Sequence, residues 1–225
     1  MILDSPLVLL GATLAAYRLG GAAQARLPRL PFAHPVPVAV AALLAALAAS
    51  GLTADAYLAA TAPLHGLLPL AIVALAVPLQ RGLAEAGRGL APLLATAGLG
   101  MALAAALGPA AGLALGLDPP ELLALATRTA SAPIALGVAE RIGGDPMLTL
   151  LAVFATGMAG SAFGPALLRR AGVVDEAAAG LALGIVAHAF GVARAAEMGP
   201  RALAHATLGM GLTGLGLALL LPILA

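Results

Sequence analysis

Two short polar clusters interrupt a sequence that is otherwise mostly alanine, leucine and glycine. Thr127-Arg128-Thr129-Ala130-Ser131 gathers a guanidinium and three hydroxyls just ahead of Pro133. His188, Gly191, Arg194 and Glu197 recur every third residue, so they share a helical face or straddle a break. Arginine suits carboxylate recognition because its planar fork meets both oxygens at once. The hydroxyls donate to an anion or satisfy carbonyls freed by a helix break. A half-helix beginning near Pro133 or Gly191 aims a positive dipole end and free N–H groups at the break. Together these groups describe a site for a small carboxylate, built from Arg128, Thr129, Ser131, Pro133, His188, Gly191, Arg194 and Glu197. Arg128 and Arg194 are expected to hold the carboxylate, with Thr129, Ser131 and the backbone near Pro133 and Gly191 as donors. Glu197 would orient Arg194, and His188 would couple protons or hydrogen-bond. The plainer alternative is that Arg194 and Glu197, three apart on a helix, only pair with each other.

The solvent around these clusters is set by composition. Of 225 residues, 62% are hydrophobic and 9% charged, and the mean hydropathy is +1.06. A soluble domain carries roughly 25% charged residues. The chain therefore reads as an all-α polytopic membrane protein, where a charge at depth is costly and functional by default. All eleven basic residues are Arg, and Lys, Cys and Trp are absent. That excludes disulfides, thiolate metal sites, cysteine nucleophiles and Schiff-base chemistry. A net charge of +1 provides no basic face for nucleic acid. No HExxH, GxSxG or Walker motif is present, so neither an enzyme nor a cofactor or metal is expected.

Stretches with few or no charges mark the spans that must position the clusters. Residues 2–23, 35–52, 60–80, 89–117, 146–168 and 202–225 each approach the 20 or so residues that cross a bilayer. Residues 2–19 read as a first span rather than a removable signal, because Asp4 stands where a basic region belongs. His34, His65 and His205 take structural readings, and Glu140-Arg141 an interfacial one. The segments 121–142 and 175–198 hold the polar clusters in their middles and read as broken helices or re-entrant hairpins. Pro133 denies a helical hydrogen bond and Gly191 supplies backbone freedom. If both segments dip in and return, Arg26, Arg29, Arg81, Arg88, Arg169, Arg170 and Arg201 share one face and Arg141 stands opposite. Eight simple spans are the alternative. The first arrangement predicts an inverted repeat, and an offset of 57 lays 119–168 on 176–225 without a gap. It pairs Glu140 with Glu197, Thr156-Gly157 with Thr213-Gly214 and Pro165 with Pro222. One membrane domain is expected over 1–225, with 1–59 as scaffold or oligomerisation spans and 60–225 as the transport core. A homodimer through that scaffold is the expected assembly.

The motifs also carry a resemblance. Pro133-Ile-Ala, Glu140-Arg-Ile-Gly-Gly144, Thr156-Gly157 and Phe163-Gly-Pro165 look, in that order, like the LrgB/CidB membrane-protein family. Gly180-Leu-Ala-Leu-Gly184 followed by His188, Gly191, Arg194 and Glu197 is similar to its signature segment. Tyr57 and Val73-Ala-Leu-Ala-Val-Pro-Leu79 resemble another landmark. The resemblance implies an antiholin-like protein that affects murein hydrolase export, or a transporter of glycolate, glycerate or pyruvate as in plastid and bacterial relatives. It also implies a small holin-like partner of the LrgA/CidA type. The chain departs from the family pattern at Ile185, Ala187 and Val192, where hydroxyl residues are usual. Charge recognition is kept while hydroxyl recognition is thinned.

Overall fold

The computed structural model describes residues 5–27, 35–74 and 76–224. The expected start of the first span at residues 2–4, Arg29, His34 and the side chains of His65 and Arg88 lie outside the described residues. Helices account for all regular structure among the described residues: α1 (Pro6–Arg26), α2 (Pro35–Ser50), α3 (Ala54–Ala60), α4 (Ala62–Ala74), α5 (Ala76–Ala86), α6 (Leu90–Ala114), α7 (Pro119–Ala126), α8 (Ala132–Ile142), α9 (Pro146–Arg170), α10 (Glu176–Met198) and α11 (Pro200–Leu224). A 3₁₀ turn, Gly87–Gly89, precedes α6. Five helices, α1, α6, α9, α10 and α11, are long and apolar enough to cross a membrane. The protein is a multi-pass, all-α membrane protein.

Residues up to 75 form one compact unit and residues from 76 a second. In the first unit α1 packs along α2, and Gly20 allows it: a Cβ there would come within 2.6 Å of Pro35 Cα. The Thr13 and Tyr57 hydroxyls share a hydrogen bond of 2.8 Å. The span expected over 60–80 falls on α4 and α5, and its expected start lies at the turn before α4. α3 ends at Ala60, and Thr61 forms the turn, its hydroxyl donating to the Tyr57 carbonyl at 2.8 Å. That side-chain bond competes with helix continuation.

The second unit is built on α6, α9 and α11, with two folded-back elements between them. α7 and α8 are separated by residues 127–131 and form a hairpin rather than a crossing. The Asp145 N–H donates to the Pro120 carbonyl at 3.0 Å, so the outer end of α8 returns to the start of α7. Gly144 packs on the same end, where a Cβ would sit 3.1 Å from the Ala124 nitrogen.

α10 is also a hairpin, with its break inside the element at His188. His188 stands at φ 41, ψ −127 and divides residues 176–187 from 189–198. Gly191 lies against the Leu183 carbonyl, where a Cβ would collide. In a straight helix those two residues would be about 12 Å apart. At the open end, a Cβ on Gly199 would meet Glu176 Oε2 at 3.3 Å. Arg201 Nη1 donates to Asp175 Oδ1 at 2.8 Å across the same end.

The two hairpins open on opposite faces. The first closes at Asp145, the N-cap of α9, and the second begins just beyond Arg170 at its other end. α9 has 25 residues, about 37 Å of helix, enough to cross the bilayer once. Arg169, Arg170 and Arg201 therefore share the second hairpin's face, while Arg141, in the last turn of α8, lies opposite. Hairpin-then-span recurs as α7–α8–α9 and α10–α11, and the offset of 57 lays the N-cap Ser131 on His188.

Glycine spacing fixes the second hairpin to its span. Gly180 faces the Ala202 carbonyl and Gly184 the Ala206 carbonyl, so residues 176–187 run beside α11 in direct backbone contact. Small residues permit such approach, and dispersion then holds it where lipid supplies no hydrophobic drive.

Candidate functional site

Within the second unit, the tips of the two hairpins both lie against Val153 of α9. Ala130 of the first tip belongs to a buried cluster with Ala135, Val153 and Leu217. From the second tip, the His188 ring shares a 3.1 Å hydrogen bond between Nε2 and the Val153 carbonyl. Gly157, one turn on, leaves room for that ring: a Cβ would stand 2.8 Å from His188 Cε1. Both tips also stand beside the midpoint of α6. Arg128 reaches Ala104, and Ile185 Cγ2 would lie 3.3 Å from a Cβ on Gly100.

Each tip presents a half-helix N-terminus. At the first, Ser131 is the N-cap of α8, with extended φ/ψ and no side-chain capping bond. Pro133 sits in the first turn, where its missing N–H costs nothing. The Ala132 and Ile134 amides of that turn precede the first intrahelical donor, Ala135, whose N–H meets the Ser131 carbonyl at 2.8 Å. At the second, residues 189–198 begin directly after His188, and Gly191 is buried against Leu183.

The expected side chains divide into two groups. Thr129, Ser131, Pro133, His188 and Gly191 all lie at the tips. Thr127 is buried there too, its hydroxyl donating to Ala124 O at 2.8 Å. Thr129 is 1% exposed and its Oγ1 has no hydrogen-bond partner. Arg128 is held in place by backbone: Nη1 donates to Ala104 O at 2.6 Å and Leu125 O at 3.0 Å. Gly108 makes the space for that guanidinium, and a Cβ there would collide with it. Arg194 Nη1 pairs with Glu197, as the plainer sequence reading has it, while its Nε is buried without a partner. Arg194 is six residues from His188 along the returning arm, so the two guanidinium groups stand at different depths.

Three participants escape sequence reasoning. Val153 contributes a carbonyl, and any residue has one. Ala104 does the same on α6. Thr213 reads in the sequence only as a repeat marker, yet its hydroxyl is buried at 1% exposure and unpartnered. His205 has the structural part expected of it, with Nδ1 bonded to the Arg201 carbonyl at 3.0 Å. A groove of 540 Å³ beside the second tip, lined by Thr156, Gly160, Phe163, Leu183 and Ala187 among others, is almost wholly apolar and offers a carboxylate nothing. No group of His, Asp or Glu that could hold a metal ion occurs among the described residues.

Comparison with known proteins adds a lineage to this geometry. The profile of the LrgB-like family matches residues 13–225. An uncharacterized protein of Haemophilus influenzae is 34% identical, covering 75% of this chain and 73% of its own. The uncharacterized protein YxaC of Bacillus subtilis is 29% identical over 91% of this chain and 88% of its own. The holin-like protein CidB of Staphylococcus aureus is 28% identical over 97% and 95%. No solved structure matches the chain.

Proposed function

This chain belongs to the LrgB-like family, and on that premise we propose that it is a secondary transporter of a small monocarboxylate the size of glycolate, glycerate or pyruvate. The observation that carries the reading is the meeting of two re-entrant tips on Val153, with the buried Thr129 hydroxyl unpartnered there. Broken helices placed at the midplane from opposite faces are the geometry by which one site serves both sides of a membrane. An anion is the ligand they suit, because both half-helix N-termini bring positive dipole ends to that depth. Thr129, Ser131 and the backbone at Pro133 and Gly191 donate to it, and His188 is a hydrogen-bonding or proton-coupling group beside it. Arg128 supplies positive charge from the position in which two carbonyls hold it. Arg194, oriented by Glu197, supplies charge about 9 Å further out along the returning arm. Residues 60–225 act as the transport core and residues 1–59 as the scaffold of a homodimer.

The test is uptake of labelled glycolate, glycerate and pyruvate by the purified protein in liposomes. Wild type accumulates at least one of them. Arg128→Ala and Arg194→Ala each lower uptake about tenfold or more, the worth of a charge-assisted contact. Uptake equal to wild type in both variants removes the arginines from the site.

The holin-like name of the Staphylococcus aureus relatives favours a second reading. In it the protein modulates a small holin-like pore of the LrgA/CidA type, and through it murein hydrolase activity, without moving substrate. Co-purification with such a partner, together with no uptake of any carboxylate, selects this reading.

A further inference from the structure

Thr213 differs from the other buried threonines inside the described helices, Thr149 and Thr207. Thr149 and Thr207 each donate to the carbonyl one turn back, at 2.8 and 2.9 Å, as do the less buried Thr13 and Thr96. Thr213 does not, although it is 1% exposed and in the interior of α11. A buried hydroxyl without a partner costs about 1–3 kcal/mol. Nothing in the lipid repays it.

The place of Thr213 indicates what does. Its neighbour Gly214 lies against the first turn of α8, where a Cβ would come 2.9 Å from Ile134 Cδ1. Leu217, one turn further along the same face of α11, is in the buried cluster with Ala130 and Val153. Thr213 is thus at the level of the first tip, where Thr129 carries a second unpartnered hydroxyl at 1% exposure. Two orphaned hydroxyls, one on a hairpin and one on a span, lie near the N-terminus of α8, whose Ala132 and Ile134 amides have no acceptor within the helix.

We infer that Thr213 and Thr129 form a hydroxyl pair that receives the carboxylate group of the substrate together with the first-turn amides of α8; this rests on the transport reading above. A cation is the wrong occupant. The dipole end is positive and the neighbouring residue is Arg128, so hydroxyls at this spot act as donors. Arg128, its Nη1 tied to Ala104 and Leu125, holds its charge beside this pair.

The experiment compares wild type, Thr213→Val and Thr213→Ser in proteoliposome uptake of glycolate and pyruvate, and in thermal unfolding in detergent with and without the same acids. Valine keeps the volume and removes only the hydroxyl. The expected result is a KM raised about tenfold with little change in maximal rate, recovered by serine. The unfolding midpoint of the ligand-free Thr213→Val protein stays level or rises, and its upward shift with carboxylate shrinks. An unchanged KM and an unchanged carboxylate shift in Thr213→Val overturn the inference. So does a Thr213→Val protein whose sodium dependence, rather than its carboxylate KM, is altered. A wild type that is stabilised by carboxylate yet shows no uptake overturns transport alone, and a lost shift in Thr213→Val then still upholds the hydroxyl pair. A wild type with neither uptake nor shift overturns both.

Discussion

The Asp145 N–H donates to the Pro120 carbonyl at 3.0 Å, tying the end of one half-helix to the start of the other. α7 and α8 have 8 and 11 residues, together about 28 Å of helix. Laid end to end they would hold Pro120 and Asp145 on opposite faces of the bilayer, so this single bond makes the segment re-entrant. The native chain has no cysteine, which makes the consequence simple to read. Glu121→Cys and Glu140→Cys are expected to react with an impermeant maleimide from the same side of the membrane. Arg170→Cys and Val174→Cys are expected to react from the other. Labelling of positions 121 and 140 from opposite sides would sink the hairpin.

Close backbone approach gives a sharper mechanical expectation. A Cβ on Gly184 would strike the Ala206 carbonyl, which is backbone and cannot rotate away. Gly184→Ala should therefore part the second hairpin from α11 and cost at least about 3 kcal/mol, the upper range for overpacking. Gly98, on the exposed side of α6, has nothing within 4 Å of an added Cβ. Gly98→Ala should gain about 0.5–1 kcal/mol through helix propensity. Thermal midpoints in one detergent check the pair, and equal midpoints would refute the packing argument.

His188 holds a backbone that side chains avoid. Its φ of 41 with ψ −127 is the mirror of an extended conformation, open to glycine and strained for L residues by about 1–3 kcal/mol. The bond to Val153 and the edge-on Phe190 ring, 5.6 Å between centroids, offset that strain. His188→Ala keeps the strain and loses both contacts. His188→Gly loses the contacts and the strain together. The glycine variant should thus unfold at a higher temperature than the alanine variant, by about 1 kcal/mol in stability. The reverse order would mean that the backbone relaxes when the ring is removed.

These relationships differ in how far the sequence displays them. The breaks at residues 127–133 and at His188 are legible because each places polar groups in an apolar run, next to a residue that cannot or need not continue a helix. The sidedness of the hairpins is legible in the arginines, since Arg169, Arg170 and Arg201 fall on one face only if residues 175–198 return. Partners that are carbonyls are not legible. Arg128 looks free in the sequence, and Ala104 and Leu125 claim it. The turn at Thr61 that separates α3 from α4 is hidden for a related reason: it rests on one hydroxyl reaching back to Tyr57. Thr213 shows the converse, a residue whose meaning is the absence of the usual bond.

The open end of the second hairpin carries an electrostatic prediction. Asp175 caps α10 by accepting from the Ala178 N–H at 2.9 Å, and it pairs with Arg201 at 2.8 Å. The Ala178 amide first, and then Arg201, hold its carboxyl below the ordinary range. A depressed folded value means that the stabilisation is present above the unfolded value, about 3.9, and is lost as pH falls through the lower folded one. The group is exposed, so the effect is small and weakened by salt. Asp175→Ala should unfold at a lower temperature than wild type near pH 6, and the gap should close as the pH is taken down to about 3. Asp175→Asn, which keeps a capping oxygen and loses the charge, should fall between them near pH 6. Midpoints measured across that range at low salt test the argument, and a gap that widens as the pH falls would contradict the sign derived from the cap.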